Sequence, residues 1–174
     1  GVFVFTDTIK NSMNEMFATA YENTDAFVRS SNVIEGQFGQ ESRDRIPVEL
    51  VDAVAGMSGV DKADGVVSGT AVVTFNDKVL GSDGPPKFGS SFPVTGNSPF
   101  DLVEGRAAAG PDEVVLDRGS AKSGKVKVGD IVSITSVGTP RDFTVVGIVT
   151  FAGSDTSGGA NWALFDLATA QDFL

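Results

Sequence analysis

Apolar positions along this chain switch between two spacings, one near 3.6 residues and one of two, and the switches mark the elements. Ile9, Met13, Met16, Phe17 and Ala20 fall at helical spacing behind a Thr6-Asp7 cap, which predicts a helix over 7–23. "DAFVRSSNVI" (25–34) reads as a strand and "EGQFGQESRDR" as a loop. Pro47 suits the first position of a helix whose Leu50, Val51, Val54 and Met57 share a face, with Gly59 to end it. "GVDKADGVVSGTAVVTF" then supplies one or two β-branched strands to Phe75, so 25–75 reads as a strand–helix–strand unit.

Residues 76–111 change character. Gly, Pro, Ser, Asn and Asp dominate, yet Phe88, Phe92, Phe100, Leu102 and Val103 recur. Flexible linkers seldom carry such bulk. The stretch is expected to be an ordered, loop-rich inserted lobe, set between core-lobe segments 1–75 and 112–174. Beyond it, "EVVLD" (113–117) is a short buried strand and "RGSAKSG" a single helical turn. Two strands follow at 131–137 and 142–151, joined at Gly138-Thr139-Pro140. A Gly/Ser loop over 153–161 reads as a hairpin tip, "NWALF" reads as a strand, and Asp166 caps a helix starting at Leu167.

One stretch invites a nucleotide. "GSAKSGKV" (119–126) fits the phosphate-binding loop G-x-x-x-x-G-K, except that Val126 stands where a Ser or Thr should hold magnesium. Such a loop must also open a long helix, whose N-terminus and amides cradle the phosphates. Here strand pattern resumes almost at once after Lys125. The plainer reading is a one-turn helix stopped by Gly124, with Val126 and Val128 entering the core.

Composition narrows the chemistry. The 174 residues are 41% hydrophobic and 21% charged, which marks a folded chain. Thirteen basic against 23 acidic residues give a net charge of −10, and no basic stripe interrupts it. Nucleic acid is therefore not an expected partner. With no His and no Cys, a Ser-His-Asp triad, a thiolate nucleophile, a disulfide and a Cys/His zinc site are all excluded. Asp61/Asp64, Asp101/Glu104 and Asp112/Glu113 lack calcium-loop spacing and read as a solvated acidic face. No catalytic, cofactor-binding or metal residues are nominated. For partner contact, three aromatic residues are: Phe88 and Phe92 in the inserted stretch, and Trp162, the only tryptophan, beside the Gly/Ser loop.

The order of the pieces resembles a known family. "GVFVFTDTI", "GRAAAGPDEVVLDRGSAKSGKVKVGDIVSI", "FTVVGIVTF" and "WALFDLATAQDFL" resemble successive parts of the extracytoplasmic domain in ABC-transporter permeases of the MacB/FtsX type. "GPPKFGSSFPVTGNSPFDLVEGR" looks like an actinobacterial version of the stretch leading in. The resemblance implies an α+β domain, a βαβ-containing core lobe with an inserted β lobe, lying between the first and second membrane helices. It implies a cytosolic ATPase, a second permease copy and an unknown extracytoplasmic protein or substrate as partners, with no cofactor and no catalysis in this domain. Residues 7–23 would then be a stalk carrying motion from the membrane. "SGK" departs from the family's usual residues before the Val-Gly-Asp turn, and the last part of the domain is expected to lie beyond Leu174. Two other classes stay in view: a free-standing secreted module that captures a ligand or peptide, and a hydrolase using carboxylates.

Overall fold

The computed structural model describes residues 24–35, 41–81, 84–96 and 98–174; the helix expected over 7–23 lies outside them. Within them the chain runs β1 (Val33–Glu35), β2 (Glu41–Arg43), α1 (Leu50–Ala55), β3 (Ser68–Thr70), β4 (Val72–Phe75), β5 (Lys78–Val79), β6 (Lys87–Ser91), β7 (Phe100–Gly105), β8 (Glu113–Asp117), α2 (Arg118–Gly124), β9 (Ile131–Thr135), β10 (Arg141–Phe151), β11 (Asn161–Phe165) and α3 (Leu167–Phe173). The class is α+β. β1 and β2 form a separate antiparallel pair.

The remaining nine strands form one sheet in the order β3-β6-β11-β8-β10-β9-β4-β5, with β7 added on β10. Only Ala71 separates β3 from β4, so the two are one interrupted strand. Alternate residues of a strand address the same edge. Ala71 N–H donates to Lys87 O of β6 at 3.2 Å, and Val73 O accepts from Leu80 N–H at 2.8 Å, which leaves the opposite edge to β9. The strand order therefore returns to its start, and six strands close a ring: β3–β4, β6, β11, β8, β10 and β9. β6·β11 and β8·β10 are parallel neighbours, and the other pairs are antiparallel.

Period-two alternation fills one face of this ring. Ala71, Val73, Val114, Leu116, Val132, Ile134, Phe143, Val145, Ala163 and Phe165 pack into a single core, joined by Ala121, Val126, Ala170 and Leu174 from the helical segments. At about 1.5–3 kcal/mol for each large side chain removed from water, this cluster is the main stabilising element.

Several expectations need correction. Residues 76–111 are not set apart as a lobe: they supply β5, β6 and β7 to the common sheet, with β6 bonded between β3 and β11. "KFGSS" reads as a loop because its side chains are small, and the packing requires them to be. A Cβ on Gly89 would run into Leu174 and crowd Ala71. The strand expected over 25–34 is reduced to β1, with 24–30 irregular. α1 exists but ends at Gly56 rather than Gly59, and none of its residues is buried. Val126 enters the core, but Val128 is exposed, because a turn over Lys127–Asp130 with Gly129 at φ +98° swings the chain outward.

Candidate functional site

The other face of the ring carries a second apolar cluster. Alternation that sends Val114 and Leu116 inward sends Val115 outward, where it joins Leu164, Val146, Val149, Phe151, Phe100 and Ala108. Phe92, Ala152 and Trp162 pack on it, half-buried. β6 and β11 run parallel with Phe88 opposite Trp162, so their rings meet at 4.8 Å between centroids. Trp162 also meets Phe100 edge-on at 5.2 Å and stacks on Phe151 at 6.1 Å. All three aromatic residues nominated from the sequence thus converge on one surface, which no local motif announced. Phe88 is 36% exposed. The Trp162 Nε1 hydrogen is enclosed and has no acceptor. Phe100 and Phe151 belong to the same platform. In the sequence Phe100 stands out only as recurrent bulk, and Phe151 only as part of a strand.

Beneath this surface lies a polar node that the pattern did not reveal. Asp117 ends β8 fully buried and serves as the N-cap of α2. Its carboxylate accepts from Ser120 N–H and Trp162 N–H, each at 2.8 Å, and from the Ser120 hydroxyl. Burial pushes the carboxyl above its ordinary value, while the hydrogen bonds from Ser120, Trp162 and Gly119 pull the other way. Asn161 Nδ2 donates to Ser120 Oγ at 2.8 Å. A carboxylate this enclosed, with its oxygens already engaged, orders α2 against β11; it has no path to a substrate. The only advance signal was a Ser three residues after Asp117, the spacing of an N-cap.

The Gly/Ser loop is not a free hairpin tip. Asp155 accepts from Lys122 Nζ at 2.6 Å and Arg118 Nε at 2.5 Å, which hold its carboxyl below the ordinary range, and Gly119 N–H donates to Asp155 O. Those contacts bind the loop to α2.

The other candidates do not assemble into chemistry. α2 has seven residues, and Lys125 is its left-handed C-cap at φ +57°, so the P-loop-like stretch forms no phosphate cradle. Among the carboxylates read as a solvated acidic face, Asp64 bonds Thr95, Asp112 bonds Arg141, and Glu113 takes a two-point bond from Arg106. The Arg106 hydrogen bond, with help from Ala109 N–H, lowers the Glu113 carboxyl to about 2. An open cleft of about 320 Å³ beside Arg141, Asp166 and Asp172 is lined by side chains already paired or capping. No group of three acidic residues suited to a metal occurs among the described residues.

The described residues thus form a closed α+β ring with an aromatic outer face and a buried carboxylate that caps α2. The chain belongs to the MacB-like periplasmic core domain family, whose model matches residues 1–174. Domains of this family are parts of ABC-transporter permeases, which work with cytosolic ATPases, and they lie on the extracytoplasmic side of the membrane. No curated protein matches the chain. No helix among the described residues is long and apolar enough to cross a membrane.

Proposed function

We propose that this domain is a non-catalytic coupling piece: it carries ATP-driven motion of its permease to the extracytoplasmic side and meets a substrate or partner protein there. The observation that carries this reading is the gathering of Phe88, Phe92 and Trp162 on one outer face, with Phe88 exposed. Half-exposed aromatic groups in a packed cluster are the usual anchors of protein contacts. The closed ladder supports the mechanical part, because displacement of any one strand is passed on through hydrogen bonds to both neighbours. The permease's cytosolic ATPase and a second permease copy complete the machine in this reading.

The test uses the full permease with its ATPase. Phe88→Ala, Phe92→Ala and Trp162→Phe are introduced singly, and transport-dependent growth is measured beside basal ATP hydrolysis. The expected result is basal hydrolysis within about twofold of wild type, with the transport phenotype lost in at least one variant. Full transport in all three refutes the contact surface. Thermal unfolding of each variant domain separates lost contact from lost fold.

A further inference from the structure

β7 is bonded to β10 along one edge only. Among the described residues nothing bonds to its other edge. Every residue from Asp101 to Gly105 is exposed, including Leu102 at 42% and Val103 at 47%. Asp101 and Glu104 have no ion-pair partner among the described residues. A strand with a row of unpaired N–H and C=O groups is a template for another strand. The edge is tempered by a bulge opposite Ile148/Val149 and ended by Gly105 at φ +72°, but it is not covered.

Charge selects the occupant. A second copy of this chain would bring Asp101 and Glu104 against the same residues, on a chain of net charge −10. Like charges opposed across a ladder destabilise it. A segment with Lys or Arg at alternate positions meets the opposite sign. We infer that β7 accepts an extended basic–apolar segment of a partner protein as an added strand. Main-chain hydrogen bonds along the edge supply affinity. Leu102 and Val103 offer apolar contact, and Asp101 and Glu104 select the positive side chains. This goes beyond the aromatic face and does not depend on it.

The experiment uses the isotope-labelled 174-residue chain with two capped octapeptides, one alternating Lys and Val, the other Glu and Val. Amide exchange and chemical-shift changes are followed residue by residue at low salt and again at about 0.5 M salt. The Lys/Val peptide is expected to slow exchange at 101–105, the Glu/Val peptide to leave it unchanged, and salt to weaken the effect. The surface double variant Asp101→Asn/Glu104→Gln is expected to bind about three- to tenfold more weakly while unfolding at the wild-type temperature. No protection at 101–105 at millimolar peptide overturns the inference, as does equal binding of both peptides. Protection that grows with protein concentration alone assigns the edge to a second copy and also overturns it.

Discussion

Replacing Asp117 with Ala tests whether one buried carboxylate fastens α2 to the ring. The substitution removes the N-cap of α2, a loss of about 1 kcal/mol. It also leaves the Trp162 N–H without an acceptor, at about 1–3 kcal/mol for a buried donor. The Ser120 oxygen still accepts from Asn161, but its O–H loses the Asp117 acceptor. Relief of a buried charge offsets part of the loss, and a net destabilisation of about 2–3 kcal/mol at pH 7 is expected. For a chain of this length that lowers the unfolding temperature by about 4–12 °C. The sign of the pH dependence sharpens the test. The folded carboxyl titrates above its ordinary value of 3.8, so the native state holds the proton more tightly than the unfolded chain. The contribution of Asp117 is therefore full below 3.8 and shrinks as pH rises through its folded pKa. The gap between wild type and Asp117→Ala should widen on acidification. Urea unfolding followed by circular dichroism, at constant slope, measures both quantities. A loss under about 0.5 kcal/mol, or a gap that narrows toward acid, refutes the reasoning.

Gly105→Ala places a Cβ against Val146 O at φ +72°, and should cost about 2 kcal/mol or more by thermal unfolding, while Gly129→Ala, strained but in open space, should cost about half as much. Glu113→Gln breaks the pair with the largely exposed Arg106 and should cost about 0.5–1 kcal/mol near pH 7. Because the folded Glu113 carboxyl lies at about 2, its stabilisation is present above 4.5 and lost as pH falls through 2. The variant's stability should vary less with pH across that window, as read by chemical denaturation.

The C-terminal half of the chain was readable because its boundaries carry local chemistry. Asp166 accepts from Thr169 N–H at the start of α3, the Gly138-Thr139-Pro140 break separates β9 from β10, and "EVVLD" is an apolar run with stops at both ends. β6 was not readable, because Gly89, Ser90 and Ser91 are buried for their small size, and smallness looks like a loop in one dimension. α1 was legible by period but not by consequence, since the face that Leu50, Val51 and Val54 suggested is only partly buried, with Val51 beside Gly65. The aromatic surface was legible only as a set of residue types. Its assembly depends on the parallel pairing of β6 with β11, a contact across more than seventy residues that no window detects. Asp117 escaped notice because a carboxylate at a strand end is ordinarily solvated.

The position of β11 in the ring sets an order on biogenesis. β6 and β8 are not bonded to each other: each reserves an edge for β11, which is made last of the six. A chain folding as it is made therefore keeps two raw borders until residue 165 is free to join them. Loop closure over such separations is slow, and exposed borders invite mispairing. Without "NWALF" the remaining strands form an open arc, and its insertion between β6 and β8 is the step that removes both borders at once.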